Sequence, residues 1–142
     1  MTIAAILQNK GSDIVSVGPE QRVSEVVKLL AERRIGAVPV IAGGRVEGIF
    51  SERDLIYHLA GQGPSVLDRR VSDVMSSPAI TVARDTTLLS ALALMTKRRI
   101  RHLPVVESEA IIGVVSIGDL VKARIDRIEA DAEAMRLYIA GN

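Results

Sequence analysis

The sequence predicts a mixed α+β (α/β) protein. Two β-α-β-β-α units stand in tandem, packed with pseudo-two-fold symmetry, and a long C-terminal helix follows. Three observations predict this. Gly48-Ile-Phe-Ser-Glu-Arg-Asp54 returns 65 positions later as Gly113-Val-Val-Ser-Ile-Gly-Asp119. The same offset carries Ser16 onto Thr81 and Pro39-Val40 onto Pro104-Val105, without a gap. After Asp119 a helical pattern runs to Ala140 with little to stop it before Gly141.

Composition narrows the function classes. The 142 residues suffice for one domain or two small repeats sharing a core, and 48% hydrophobic content supports a sizeable core. A net charge of +1 gives no basic excess for nucleic acid. Phe50, Tyr57 and Tyr138 are the only aromatics, too few for a base-stacking platform. With no cysteine, disulfides, thiol catalysis and cysteine metal sites are excluded. The apolar run Ile3 to Leu7 is too short for a signal-peptide core or a membrane span, so the expected location is cytoplasmic.

Taken in order, residues 1–11 read as a short helix ended by Gly11, and Ile14 to Val17 as a strand closed by Gly18-Pro19. Val23, Val26, Val27 and Leu30 make one helical face, and Gly36 is the expected stop. Ala37 to Ile41 is a strand in which Pro39 lacks a ladder donor and suggests an edge or strand-start position. Ala42-Gly-Gly-Arg45 reads as a hairpin turn, and Val46 to Phe50 as the returning strand. Ser51 opens a helix to about Leu59.

Residues 1–60 thus form the first repeat and 61–70 a linker. Residues 71–125 form the second repeat, which starts with a short helix at Val71 to Met75, and 126–142 form a helical extension. Only the second hairpin turn departs, with Glu107-Ser-Glu109 in place of the glycines. In the tail, Val121, Ile125, Ile128, Ala132, Met135 and Ile139 are spaced as an a/d seam. That seam either docks on the chain's own core or meets a second subunit; its length past the first repeat's helix favours the second subunit.

The repeated Gly-x-x-Ser-x-x-Asp motif carries the chemistry. Glycine permits close approach, serine caps the helix that follows, and aspartate can accept hydrogen bonds from sugar hydroxyls. Ser-x-x-Asp alone also reads as a capping box with Asp in place of Glu or Gln. Two copies in register, each behind a strand and a glycine, tilt the reading toward a site, because capping does not require the glycine.

These motifs, the Pro-Val strands and the element order resemble a tandem pair of CBS domains, often called a Bateman module. The resemblance covers about residues 1–125. Ile35-Gly-Ala-Val-Pro-Val40, Ser51-Glu-Arg-Asp-Leu55, Arg99-Ile-Arg-His-Leu-Pro-Val105 and Val115-Ser-Ile-Gly-Asp-Leu120 resemble a bacterial subgroup of stand-alone CBS pairs. It implies an adenosyl ligand such as AMP, ADP, ATP, NAD or S-adenosylmethionine in the cleft between repeats. Asp54 and Asp119 would hold the ribose, and Ser51 and Ser116 would lie near phosphate. Thr81 would border the base or sugar, with Ser16 keeping the hydroxyl. The strands around Val38-Pro39 and Leu103-Pro104 would wall the base.

For phosphate charge the candidates are Arg101 and His102, with Arg53 and Lys10 assisting. Gly36 and Ala37 occupy the places of Arg101 and His102 in the first repeat, so the two clefts are chemically unequal. Each residue has a plainer reading: first-turn acid for Asp54 and Asp119, solvated charge for Arg101 and Lys10, packed imidazole for His102. His58 reads as surface, and Arg33, Arg34, Arg98 and Arg99 as helix C-terminal charges, of which some could face the cleft.

The resulting expectation is a non-catalytic adenine-nucleotide sensor that signals to an unknown effector protein, binds neither nucleic acid nor membrane, and forms a homodimer through CBS faces and the C-terminal helix. It needs no metal, with magnesium only alongside a di- or triphosphate. The alternatives are a docking module without ligand and a nucleotide hydrolase. The hydrolase lacks a Walker loop, a His-rich metal cluster and evident acid–base carboxylates.

Overall fold

The computed structural model describes residues 1–11 and 13–141. Ser12, within the expected first repeat, and Asn142, the end of the expected extension, lie outside the described residues. Helix α1 spans Ile3–Lys10 and α2 Val23–Arg33. Strands β1 (Ala37–Ala42) and β2 (Arg45–Ser51) form a hairpin, and α3 is Glu52–Gln62. The second repeat supplies β3 (Val82–Ala83), α4 (Leu88–Arg98), β4 (His102–Glu107), β5 (Ala110–Ser116) and α5 (Ile117–Ala140).

The two hairpins share one geometry. Each is antiparallel, and each has a register shift at the same place, after Val40 and after Val105. Gly43 and Gly44 take φ of 60° and 77°, as a two-residue hairpin turn of this hand requires. Ser108 and Glu109 adopt φ of 49° and 68° at the corresponding turn without glycine. The strand register imposes that conformation, against an intrinsic cost of about 1–2 kcal/mol per residue. Arg45 and Glu109 form an ion pair of 2.8 Å between the two turns.

Several expectations are corrected. The first strand, Ile14 to Val17, is reduced to a single parallel bridge between Val17 and Val40, leaving a two-stranded sheet beside a three-stranded one. Val17 N donates to Pro39 O and Ile41 N donates to Val17 O, so the missing N–H of Pro39 lies on that same side of the strand. β1 is therefore not a bare edge. Helix α2 ends at Arg33, three residues before Gly36, with Arg34 itself left-handed at φ 54°. Ile35 N then bonds Leu30 O, which satisfies a terminal carbonyl. Arg99 repeats this at φ 55°. The expected linker is structured: α3 reaches Gln62, and a 3-10 helix follows over Gly63–Asp68 with Val66 fully buried. Val71–Asp73 is a 3-10 turn rather than a longer helix.

The two cores exchange their opening segments. Ile3 and Ile6 of α1 are buried with Val82, Leu88, Met95 and Leu103 of the second repeat. Val71 and Val74, which open the second repeat, are buried with Val26, Val38 and Phe50 of the first. Backbone bonds fasten both crossings: Ile3 N to Thr86 O at 2.9 Å, and Val71 N to Gln21 O at 2.7 Å.

Because Ile3 is fully buried in the other repeat's core, Ile3→Ala costs about 2–5 kcal/mol of folding free energy, the range for large-to-small core changes. Urea unfolding measures it. A loss below about 0.5 kcal/mol, the level of an ordinary surface substitution, contradicts the crossing.

Candidate functional site

Both motifs are built alike. β2 delivers Ser51 in extended conformation to the first turn of α3, and β5 delivers Ser116 to α5. Ser51 Oγ accepts from Asp54 N at 3.3 Å, and Asp54 Oδ2 accepts from Ser51 N at 2.9 Å. Ser116 and Asp119 repeat this at 3.1 and 2.8 Å. Both are therefore capping boxes, as the plainer reading expects, each satisfying two otherwise orphaned amides. Capping engages Oδ2, leaving Oδ1 of each carboxylate aimed elsewhere.

The motif glycines are approached by protein. A Cβ on Gly48 would lie 2.6 Å from Ser76 O and 2.7 Å from Met75 Sδ; on Gly113 it would lie 2.7 Å from Leu7 Cδ2. The glycine thus admits the segment that crosses from the other repeat. At the first motif Ser76 pairs with Ile49 through two backbone bonds of 2.9 and 2.8 Å, and Ser76 Oγ donates to Asp54 Oδ1 at 2.8 Å. At the second, Lys10 Nζ donates to Val114 O and to Asp119 Oδ2, both at 2.6 Å.

A cleft of about 150 Å³ opens beside the first motif. Ser51, Arg53 and Asp54 line it from the first repeat, and Arg101 and His102 face them from the second. Gly36, Ala37, Pro78, Ala79, Ile80 and Ile100 form its apolar wall. The cleft is thus shared across the pseudo-dyad, and it settles which cleft Arg101 borders, a point the sequence left open.

Lys10, Ser116 and Asp119 cluster at the second motif instead. Val38 and Leu103 are buried in the two cores, and Pro39 and Pro104 are also buried. Val38 and Leu103 turn into the cores and the prolines to the opposite faces, and the cleft takes instead the residues at the start of each strand, Gly36 and Ala37 and then Ile100 to His102. Ser16 and Thr81 are exposed and lie outside the cleft lining, to which Thr81's neighbour Ile80 contributes. His58 is half-buried and shares a 3.2 Å contact with Gln62.

Sequence reasoning missed Glu52, Ser76 and Pro78. Glu52 Oε1 lies 3.9 Å from Arg101 Nη2, and it sits over Gly36, where a Cβ would meet it at 2.6 Å. The repeat gave no signal for Ser76, because the crossing segments do not keep its offset: Ile3 N bonds Thr86 O where Val71 N bonds Gln21 O. Arg99 also lines the cleft, and its carbonyl accepts from Arg53 Nη1 at 2.6 Å.

Electrostatics set His102 between the two motifs. Burial chiefly, then the Arg101 and Lys10 charges, hold its imidazole below its ordinary 6.5, against the opposing pull of Asp119 and Glu52. On β4 it pairs with Ser116, while it also lines the cleft at Asp54. Partial burial alone would raise the Asp119 carboxyl, but the Lys10 hydrogen bond, the Ser116 amide and hydroxyl and the Lys10 charge together hold it below its ordinary value. Among the described residues no cluster of three or more His, Cys, Asp or Glu could hold a metal, and no helix is long and apolar enough to cross a membrane.

Comparison with known proteins supplies the family. The CBS domain model matches residues 10–61 and 71–126. The chain is 33% identical to the CBS domain-containing protein CBSX3, mitochondrial, of Arabidopsis thaliana, over 99% of this chain and 72% of that protein. It is 40% identical to the crystal structure of the CBS-domain containing protein ATU1752 from Agrobacterium tumefaciens, with a TM-score of 0.83 over 87% of this chain and 99% of that one. CBSX2, solved in complex with AMP, is 26% identical with a TM-score of 0.73 over 88% of this chain and 96% of that one. Two matched repeats, on the offset that builds the shared cleft, show that this chain belongs to the CBS domain family as a tandem pair.

Proposed function

We propose that the protein is a non-catalytic adenine-nucleotide sensor that takes an AMP-, ATP- or NAD-type ligand in the cleft beside Asp54. One observation carries this reading. A motif aspartate from one repeat and several cations from the other face each other across an apolar wall. Asp54 accepts the ribose hydroxyls, with the Ser76 hydroxyl turning aside. The wall of Ala37, Pro78, Ala79 and Ile80 receives the base. Ser51, Arg101, His102 and Arg53 receive phosphate. The AMP complex of the related CBSX2 supports this choice of ligand class.

Charge-assisted hydrogen bonds contribute about 1.5–3 kcal/mol each, so a few suffice for micromolar affinity of about −8 kcal/mol after ordering costs. No metal takes part, except magnesium carried by a di- or triphosphate. The ligand shifts the relative placement of the repeats only as far as it prefers one arrangement, and an effector protein reads that shift. A chain without cysteine needs no oxidising compartment, and we place the sensor in the cytoplasm.

The exposed seam supports a homodimer. Ile125, Ile128, Met135 and Ile139 on α5 are 49–66% exposed. Ile56 on α3 and its repeat counterpart Val121 extend the apolar surface onto the CBS faces. In a parallel in-register pair, heptad geometry sets Arg124 of one copy beside Glu129 of the other, and Asp131 beside Arg136. A second copy therefore satisfies both the seam and its flanking charges.

Three outcomes are expected. A thermal-shift screen with AMP, ATP and NAD raises Tm for at least one of them, by about 2.7 kcal/mol of stabilisation at 100 times Kd. Asp54→Ala removes the shift; no shift with any of the three at millimolar concentration sinks the sensor reading.

Phosphate beside His102 favours the imidazolium, so binding draws in a proton and tightens as pH falls toward the depressed value of the free protein's imidazole. The sign for the free protein is opposite: a depressed imidazole means its stability falls as pH drops from 6.5 through the folded value. Calorimetry near pH ~6 in buffers of different ionisation heat detects the uptake, and His102→Gln abolishes it. Finally, light scattering gives a dimer mass, which the double substitution Ile128→Asp and Met135→Asp halves. An unchanged mass removes α5 from the interface.

A further inference from the structure

The two motif aspartates are equivalent by sequence offset, but their occupants are not. Ser76 N and Oγ satisfy Ile49 O and Asp54 Oδ1 in the first repeat, both at 2.8 Å. In the second, Val114 O is the counterpart of Ile49 O, and the Asp119 oxygen engaged is Oδ2, which also accepts from Ser116 N. A single ammonium, Lys10 Nζ, serves both at 2.6 Å. A hydroxyl is neutral and both donates and accepts, so it can rotate and share a carboxylate with a sugar. An ammonium has no acceptor, neutralises the carboxylate, and must give up a charge-assisted bond before a hydroxyl can replace it.

Lys10 is also held where it is. It closes α1, whose Ile3 and Ile6 are buried in the second core and whose Leu7 packs over Gly113. Its side chain and that of Asp119 are 36% and 26% exposed, so solvent screens the pair only in part. The field of the pair also reaches His102 beside it.

We propose that Lys10 is the residue that decides which cleft takes a nucleoside. It occupies the second motif aspartate as a built-in cation, and so limits each chain to one nucleotide, at Asp54. This rests on the ribose reading of the motif given above. Lys10→Met tests the proposal, because the substitution removes the ammonium and keeps the apolar stem.

Isothermal titration with AMP, and separately with ATP, reads the stoichiometry. The wild-type protein is expected to bind one nucleotide per chain, weakened at least tenfold by Asp54→Ala. Lys10→Met is expected to gain a second equivalent, which Lys10→Met with Asp119→Ala loses again. Two equivalents in the wild-type protein, or one in Lys10→Met, overturn the inference and leave the sensor reading in place if Asp54→Ala still removes one site. Weaker binding by Lys10→Met also overturns it, by making Lys10 a phosphate donor. No heat with either nucleotide, in wild type and Lys10→Met alike, sinks the sensor reading and this inference together. A separate readout needs no ligand: carbon-detected NMR titration should show the Asp119 carboxyl moving up in Lys10→Met, and an unmoved titration counts against the lock.

Discussion

Each half of the molecule has an apolar interior that its own sequence leaves open, and the segment that closes it arrives from the other half. Ile3 and Ile6 complete the second core, while Val66, Val71 and Val74 complete the first. Fully burying one such side chain is favourable by about 1.5–3 kcal/mol, so each crossing is a substantial fraction of a marginal folding free energy. The crossing segments run against the ends of β2 and β5, where the motif glycines leave room for them. The glycines are thus packing devices first.

The cleft is a by-product of that exchange. The chain that crosses at Ser76 continues through Pro78 to Ile80 and becomes the apolar wall facing Ser51 and Asp54. The same two-fold relation brings Arg101 and His102 opposite the first repeat's aspartate. The first repeat on its own sets only Arg53 beside Asp54, and the facing Arg99, Arg101 and His102 come from the second. The duplication also allowed the copies to diverge. At the first motif the crossing residue next to the aspartate is Ser76, while at the second Lys10 reaches back to it from the end of α1. An uncharged residue at one motif and a cation at the other give the two copies different electrostatics, and the crossing segments that deliver them differ too, an α-helix ending at Lys10 against a 3-10 turn at Val71–Asp73.

Much of this was legible because it is local or repeated. Helix faces such as Val23, Val26 and Leu30 follow from spacing, and all three are buried. The hairpin at Gly43-Gly44 follows from positive φ, and Ser51 and Ser116 cap their helices as residue chemistry requires. The errors came where a neighbour overrode a local rule. Gly36 was the natural helix stop, but Arg34 takes the left-handed position and lets Ile35 N reach Leu30 O. The Gly-Pro-rich stretch after Gln62 read as linker, but Val66 is held in the core. The Val-Pro strands read as cleft walls because apolar strands near a motif can face either way.

By itself, then, the sequence determined the duplication, the order of elements, the motif positions and the chemical inequality of the two copies. Those properties are written in residue type and in spacing along the chain. Only the tertiary structure decided that Arg101 faces Asp54, that Ser76 and Ile80 belong to the cleft, and that Lys10 sits on Asp119 across 109 positions of sequence. Such pairings depend on which core buries α1, a choice made by the summed packing of two repeats and recorded at no single residue.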